Sequence, residues 1–161
     1  MSVKVGLPPI ARADARLFIL GSLPGDASLA ARRYYAHPTN QFWRLLGHAI
    51  GEELNALDYA ARLERLGDRR IGLWDVIGSA TRPGSLDQAI RDANHNAIDT
   101  LLNYPELRAI AFNGRASAAI GRRLIGSCRL PLIDLPSSSA ANTRPFDEKA
   151  AAWAQLAPFV G

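Results

Sequence analysis

Residues 17–25 read Leu-Phe-Ile-Leu-Gly-Ser-Leu-Pro-Gly, and this stretch decides how the rest of the chain is interpreted. The apolar run at 17–20 is typical of a buried strand. The two glycines and the proline that follow predict a tight turn with little side-chain bulk. Backbone amides in such a turn can come within hydrogen-bonding distance of a flat ligand. The stretch therefore predicts a strand that ends at a binding site.

A cluster of polar and aromatic residues follows this turn. Residues 34–43 read Tyr-Tyr-Ala-His-Pro-Thr-Asn-Gln-Phe-Trp. Aromatic rings offer stacking faces, while the histidine and the asparagine offer hydrogen-bond donors and acceptors. Together with the turn, the cluster predicts a pocket for a planar, polar ligand, and a nucleobase fits that description.

Apolar runs and segments of helical periodicity alternate along the rest of the chain. We predict strands over 17–20, 71–77, 107–112 and 130–135. Helices or helical turns are predicted over 26–33, 38–50, 56–66, 97–103, 115–125 and 146–156, with a further helix start at 85–88. Residues 1–16 are expected to form an extended lead-in beside the first strand, and residues 78–84 a loop. This alternation predicts an α/β fold in which helices cover both faces of a parallel sheet.

Ligands of such sheets bind beyond the carboxyl ends of the strands. The predicted loops at 21–25, 74–75, 113–114 and 136–142 fall at those ends, so four separate loops should converge on one cleft. We find no internal repeat, linker or low-complexity stretch. The sequence therefore predicts a single domain over residues 1–161.

Composition narrows the class of protein. The chain has 161 residues, of which 48% are hydrophobic, so it should fold around a core of its own. Its net charge of +4 favours a phosphate-bearing partner, although an arginine-rich composition also occurs in proteins from GC-rich genomes. No apolar run is long enough to cross a bilayer, and the N-terminus lacks the apolar core of a signal peptide. We expect a cytoplasmic protein that does not bind a membrane.

Metal and cofactor motifs are missing from the sequence. The single cysteine, Cys128, excludes an internal disulfide and a cysteine-held iron–sulfur or zinc site. The three histidines lack the spacing of metal ligands, so we expect no metal. The chain also lacks a G-x-G-x-x-G fingerprint, a phosphate-binding P-loop and a G-x-S-x-G nucleophile elbow. We therefore expect no organic cofactor and no serine-hydrolase chemistry.

Two motifs together resemble a known family. The Gly-Ser-Leu-Pro-Gly turn with residues 34–43, and the late Leu-Pro-Ser-Ser-Ser-Ala-Ala-Asn loop at 135–142, resemble the uracil-DNA glycosylase superfamily. Within it, the chain is similar to the hypoxanthine-DNA glycosylase (DNA-deoxyinosine glycosylase) branch. The similarity spans about residues 17–158. It implies a three-layer α/β/α sandwich with a four-stranded parallel sheet, which agrees with the element order above.

The resemblance also implies an activity and a partner. Members of this branch hydrolyse an N-glycosidic bond of DNA that contains deaminated bases, without a metal or an organic cofactor, and work as monomers. Mismatch-specific uracil glycosylases carry Gly-Ile-Asn-Pro-Gly, and Leu23 stands here in place of the asparagine that positions water. In the hypoxanthine branch that role belongs to the asparagine of the His-Pro-x-Asn motif, which is Asn40. Asn40 or Thr39 could equally be a helix N-cap.

The remaining site residues follow in part from the same resemblance, while Trp74, Asp75 and Asn113 are chosen because they lie at the predicted strand ends. Phe42 would stack on the flipped base, or would pack in the core on the apolar face of its helix. The predicted base-binding residues are Gly21, Ser22, Leu23, Pro24, Gly25, His37, Phe42, Trp74, Asp75 and Asn113. The predicted DNA-binding loop, which would enter the minor groove unless it is an ordinary connection, comprises Pro136, Ser137, Ser138, Ser139, Ala140, Ala141 and Asn142.

Two alternatives to hypoxanthine excision remain open. Uracil, or a mixture of deaminated bases, could be the substrate, although Leu23 argues against efficient removal of uracil. A protein of another class, a non-catalytic binder of damaged or single-stranded nucleic acid, could share the fold. Asn40 argues against the binder, since a binder has no need of a residue that positions water.

Overall fold

The computed structural model describes residues 2–161. Within that range the strands are Val3–Val5 (β1), Leu17–Gly21 (β2), Ile71–Asp75 (β3), Ile77–Thr81 (β4), Arg91–His95 (β5), Ala109–Asn113 (β6) and Leu132–Leu135 (β7). The α-helices are Asp26–Ala31 (α1), Phe42–Ile50 (α2), Tyr59–Asp68 (α3), Arg115–Ile125 (α4) and Phe146–Trp153 (α5). Short 3₁₀ helices lie at Leu54–Ala56, Asp87–Ala89, Ile98–Asn103 and Ala154–Phe159.

A four-stranded parallel sheet in the order β3-β2-β6-β7 forms the centre of the molecule. In its register, Leu17 of β2 lies opposite Ile71 of β3 on one side and Ala109 of β6 on the other. Every residue of β2 and β6 is buried, as expected for central strands with both faces covered. The predicted fold class, a parallel sheet between two helical layers, is confirmed.

The side chains of β2 divide between two hydrophobic cores because successive residues of a strand point to opposite faces. Leu17 and Ile19 belong to one core, which also holds buried residues of α2 and Trp153 of α5. Phe18 and Leu20 belong to the other core, which includes Ile125 at the end of α4. The sheet is therefore the middle layer of three.

A second sheet, which the sequence did not predict, lies beside the first. Its strands β1, β4 and β5 are antiparallel and run in the order β1-β4-β5. The prediction of one strand over 71–77 followed by a loop was wrong, because β3 ends at Asp75 and β4 begins at Ile77. The predicted lead-in at 1–16 contributes β1, which pairs with β4. The sequence of β4, Ile-Gly-Ser-Ala-Thr, is short and lacks the apolar character of a buried strand.

Several helix boundaries also differ from prediction. The helix expected from 38–40 begins at Phe42, and Gly51 ends it with a φ of 73°. The second helix begins after Asp58, whose carboxylate accepts a hydrogen bond of 2.8 Å from the Ala61 amide. The helix start at 85–88 yields only the 3₁₀ turn Asp87–Ala89, and 97–103 is also 3₁₀.

Candidate active site

The carboxyl ends of the parallel strands open into a cleft of about 1000 Å³. Loops that are far apart in the chain form its walls, because parallel strands end at the same edge of the sheet. The predicted site residues that line the cleft are Gly21, Ser22, Leu23, Pro24, Gly25, His37, Asn40, Asp75, Asn113, Pro136, Ser137, Ser138, Ser139, Ala140, Ala141 and Asn142. Phe42 and Trp74 do not line it.

A chain of hydrogen bonds joins Asn113, Ser138 and Asn40. The Ser138 amide donates to Asn113 Oδ1 at 2.9 Å, so the other end of that side chain, Nδ2, faces the serine hydroxyl. Asn113 Nδ2 donates to Ser138 Oγ at 2.9 Å. Ser138 Oγ then donates to Asn40 Oδ1 at 2.8 Å. Because a backbone amide can only donate, it fixes the direction of every later bond in the chain.

The same logic orients Asn40. Its Oδ1 accepts a second hydrogen bond, of 3.0 Å, from the Phe42 amide at the start of α2. Both lone pairs of this oxygen are therefore used. Asn40 Nδ2 has no hydrogen-bond partner among residues 2–161, and the side chain borders the cleft. In this arrangement Asn40 can donate a hydrogen bond into the cleft but cannot accept a proton there.

The N-cap interpretation of Asn40 is partly supported. The residue just before α2 is Gln41, whose side chain makes no capping bond. Asn40 satisfies the first helical amide from one position earlier. Thr39 does not cap the helix, and its amide and hydroxyl contact His37 Nδ1 at 3.2 and 2.8 Å. Asn40 therefore both stabilises the helix start and presents an amide to the cleft.

The structure does not support Phe42 as the ring that meets the base. Phe42 is fully buried, and Tyr35 stacks on its face with ring centroids 3.8 Å apart. Trp153 packs edge-on against Phe42 as well. Tyr35 lines the cleft, so its ring is the one in a position to contact a ligand. The predicted core alternative for Phe42 therefore describes this structure.

Trp74 also differs from prediction. It precedes Asp75 on β3, and neighbouring residues of a strand point to opposite faces. Trp74 packs against the core formed with Phe18 and Leu20, whereas Asp75 borders the cleft. The structure therefore places Trp74 against the core and not among the residues that line the cleft, which does not support its assignment to the base-binding residues.

The Gly21–Gly25 turn is held by an arginine that the sequence analysis missed. Arg82, at the end of β4, has a fully buried side chain. Its guanidinium donates to the carbonyl oxygens of Leu23 at 3.3 Å and Pro24 at 2.6 Å. Ser22 Oγ donates to Asp87 Oδ1 at 2.5 Å. The loop that follows β4 therefore fixes the turn that forms one wall of the cleft.

Asp75 is a buried ionisable group in the wall of the cleft. Only 3% of its surface is exposed. Burial, and to a lesser degree the nearby Asp87, raise the pKa of Asp75 to about 7, while Arg82 opposes the shift. Burial and the charge of Asp75 also raise the pKa of the Tyr35 hydroxyl. Neither Asp75 Oδ2 nor Tyr35 Oη has a hydrogen-bond partner in the described part of the chain.

The serine-rich loop at 136–142 is anchored at its base and exposed at its tip. Trp153 Nε1 donates to the Pro136 carbonyl at 2.9 Å. The buried Lys149 donates to Gln41 Oε1 at 2.9 Å and to the Ser139 carbonyl at 3.3 Å, and burial lowers its pKa. Ala140 and Ala141 are exposed. The loop thus presents small side chains from a fixed base.

Other residues line the cleft although no sequence motif assigned them to a binding site. Ser85, Gln88 and Arg115 line it, yet they lie in segments that have no motif. Arg144, which the sequence placed near the loop without a direction, also lines the cleft. Among residues 2–161, no group of three His, Cys, Asp or Glu could hold a metal ion. In the same range, no helix is long and apolar enough to cross a membrane.

Comparison with known proteins identifies the family. The sequence profile of the Uracil DNA glycosylase superfamily matches residues 8–157. This chain belongs to the uracil-DNA glycosylase superfamily, a class of enzymes that act on DNA. The resemblance inferred from residues 17–43 and 135–142 is therefore confirmed.

Individual relatives match over nearly their whole length. A hypoxanthine DNA glycosylase from Methanosarcina barkeri (strain Fusaro / DSM 804) is 40% identical, with 94% of this chain and 96% of the relative covered. A hypoxanthine DNA glycosylase from Methanosarcina acetivorans is 41% identical over the same shares. A solution NMR structure from M. acetivorans, described as a candidate uracil DNA glycosylase, has a TM-score of 0.84 at 40% identity and covers 96% of each chain.

Proposed function

We propose that this protein is a monofunctional DNA glycosylase of base excision repair that removes hypoxanthine from deoxyinosine in DNA. The orientation of the Asn40 side chain is the observation that carries the proposal. Its Oδ1 accepts two hydrogen bonds, which leaves Nδ2 free to donate into the cleft that Asn40 borders. The relatives named hypoxanthine DNA glycosylases support the choice of base.

The reaction begins with a base that has left the stack, because the glycosidic bond of a stacked base is out of reach. The bond between C1′ and the base breaks with its electron pair on the base, which leaves positive charge on the sugar. Water then adds to C1′, so that the sugar gains the hydroxyl and the base gains the proton of one water molecule. Asn40 Nδ2 donates to the oxygen of this water and holds it near C1′. It does not act as a base, since Oδ1 is fully engaged.

The base sits between the glycine-rich turn and the ring of Tyr35. Phe42 supports that ring from behind. Backbone groups of residues 21–25 meet the edge of the base, with Asp75 and Asn113 at the end of the cleft. His37 is exposed at the rim, and its Nδ1 accepts from the Thr39 amide. In the neutral ring the proton therefore lies on Nε2, which can donate to the base or to a phosphate.

The serine-rich loop contacts the DNA. Ser137 and Ser138 lie at its base, and the exposed Ala140 and Ala141 at its tip enter the minor groove and help to hold the gap left by the flipped base. Arg115 and Arg144 line the same cleft and supply positive charge for phosphates. The cleft is formed within one chain, in keeping with an enzyme that works as a monomer and as a single domain. We place it in the cytoplasm, on the nucleoid when bound to DNA.

Uracil is the second candidate base. The Leu23 side chain packs in the core with Phe18 and Leu20, so it cannot hold water at the position that mismatch-specific uracil glycosylases use. This packing favours hypoxanthine over uracil.

Excision from matched oligonucleotides tests the proposal. Duplexes that contain one hypoxanthine, one uracil or one xanthine are incubated with the protein, and abasic sites are then cleaved with alkali. We expect cleavage mainly at hypoxanthine. Cleavage mainly at uracil would support the second candidate. Binding of DNA without cleavage at any of the three bases would contradict both and indicate a non-catalytic binder.

A further inference from the structure

Two polar groups in the cleft wall are buried without a partner. Asp75 Oδ2 and Tyr35 Oη each make no hydrogen bond within residues 2–161. Both groups lie beside Gly21, since a Cβ on that residue would come within 2.5 Å of Asp75 Oδ1 and 3.1 Å of Tyr35 Oη. Gly21 therefore places no side chain between these groups and the cleft. Buried polar atoms are normally satisfied, so an unsatisfied carboxyl at a binding site indicates that a ligand group pairs with it.

The charges around Asp75 do not form an ion pair with it. Two charged residues of the segment after β4 lie near Asp75. Arg82 stabilises the ionised form of Asp75, and Asp87 destabilises that form. The guanidinium of Arg82 is already used by the carbonyls of the glycine-rich turn. The segment before α2 brings Tyr34 and Tyr35, which carry no positive charge. Burial therefore dominates, and it favours the uncharged form of the carboxyl.

We propose that Asp75 recognises the base as a neutral carboxylic acid, whose O–H and C=O pair with the lactam edge of a deaminated base. This inference rests on the proposed function and specifies one contact by which the cleft holds the edge of the base. The ligand class is any base with an N–H beside a carbonyl, which includes hypoxanthine, xanthine and uracil as well as guanine and thymine, so other contacts of the cleft must reject the two normal bases.

The chemistry of the two partners is complementary. Hypoxanthine offers the O6 acceptor and the N1–H donor side by side. A neutral carboxyl offers one donor and one acceptor at the same spacing, whereas a carboxylate can only accept. If Asp75 were ionised, one of its carboxylate oxygens would face O6, and both of these atoms are acceptors. Two buried acceptors without a hydrogen between them are unfavourable. The proton on Asp75 is therefore part of the recognition.

A pair of substrates isolates this contact. One duplex contains hypoxanthine, and the other contains 1-deazapurine, whose C–H edge offers the carboxyl neither a donor nor an acceptor. Single-turnover excision of each is measured between about pH 6 and pH 9 for the wild type, Asp75→Asn and Asp75→Leu. The ratio of the two rates cancels effects of pH on steps that the substrates share. Thermal unfolding of each variant confirms that it is folded.

For the wild type, we expect the ratio of hypoxanthine to 1-deazapurine excision to fall by about tenfold per pH unit above about pH 7. Asp75→Asn keeps a donor and an acceptor that do not titrate, so its ratio should stay high at every pH. Asp75→Leu should show a low ratio throughout. A ratio for the wild type that does not change with pH, or an Asp75→Asn ratio that still falls, would overturn the inference and leave the proposed function intact. Absence of hypoxanthine excision by the wild type at any pH would contradict the proposed function itself.

Discussion

Ser138 Oγ donates a hydrogen bond of 2.8 Å to Asn40 Oδ1, although the two residues lie 98 positions apart in the chain. This bond joins the loop before α2 to the loop after β7. It leaves the Asn40 amide nitrogen as the only end of that side chain that can contact a ligand, because the Phe42 amide occupies the other lone pair of Oδ1. The orientation of Asn40 is thus a property of the tertiary fold.

Replacement of Ser138 by alanine should allow the Asn40 side chain to leave its fixed orientation. Without the hydroxyl, Asn40 loses one of its two fixed bonds, and Asn113 Nδ2 loses its acceptor. We expect single-turnover excision of hypoxanthine to fall by about 10²-fold, because misplacement of a catalytic group by about 1 Å has effects of that size. The free energy of unfolding should fall by about 1–3 kcal/mol.

A matched control for Ser138→Ala is Ser117→Ala. Ser117 is also a buried serine, and its hydroxyl donates to the Leu20 carbonyl at 2.6 Å. Its loss should lower stability by a similar amount with little effect on excision. Equal losses of excision in the two variants would mean that Ser138 acts through stability alone.

Tyr35 rather than Phe42 should provide the stacking face. Tyr35→Ala removes the ring that lies over Phe42 and lines the cleft, so excision should fall by about tenfold or more, in line with about 1–3 kcal/mol for stacking on a base. Tyr35→Phe keeps the ring and should retain most of the activity. Single-turnover rates and DNA affinity of the two variants check this, and equal activity of Tyr35→Ala and wild type would contradict it.

Arg82 should affect binding of the base indirectly, by holding the glycine-rich turn in place. Arg82→Met retains bulk but leaves the Leu23 and Pro24 carbonyls of the turn without their donor. We expect a loss of about 2–3 kcal/mol in unfolding free energy, since hydrogen bonds to charged groups contribute about 1.5–3 kcal/mol each. The half-saturating concentration of hypoxanthine DNA should also rise. Arg12→Met, which removes an exposed ion pair with Asp68, is the control and should change neither quantity appreciably.

Asp75 should make stability depend on pH. Its pKa is raised to about 7 in the folded protein, above the usual value of about 3.9 in an unfolded chain. The folded state therefore binds more protons between about pH 4 and pH 7, so this group's contribution to stability is complete below that window and is lost as the pH rises through it. Relative to Asp75→Asn, the wild type should lose about 3 kcal/mol of unfolding free energy across the window. Urea unfolding at several pH values measures this, and a constant difference between the two proteins would argue against the raised pKa.

The sequence predicted the sheet and the place of the site, but not its internal contacts. The strand at 17–20 and the glycine-rich turn could be recognised from the sequence, because an apolar run indicates a buried strand and glycines with a proline indicate a turn without any information on distant residues. Strand β4 could not, since three of its five residues are only partly buried and its pairing with β1 joins segments that are far apart in the chain. Arg82 stood in a loop without a motif, and only the folded chain brings it to the turn.

The exchange of roles between Phe42 and Tyr35 has a similar cause. Both rings belong to one aromatic cluster, and helical spacing offered core packing only as the alternative for Phe42, which its burial supports. Which ring covers the other depends on the path of residues 35–41, including the positive φ of 53° at Tyr35. Spacing along the chain does not determine that path.

The most direct measurement is single-turnover excision of hypoxanthine by Asn40→Ala, with DNA affinity and unfolding free energy measured on the same preparation. We predict that excision is abolished, that DNA affinity is nearly unchanged, and that stability falls by about 1–3 kcal/mol, because the Phe42 amide and the buried Ser138 hydroxyl both lose their acceptor. Asp58→Ala removes a comparable capping bond at α3, outside the cleft, and should lower stability alone. If Asn40→Ala excises hypoxanthine as fast as Asp58→Ala does, Asn40 is only a helix cap, and the mechanism proposed for this cleft is wrong.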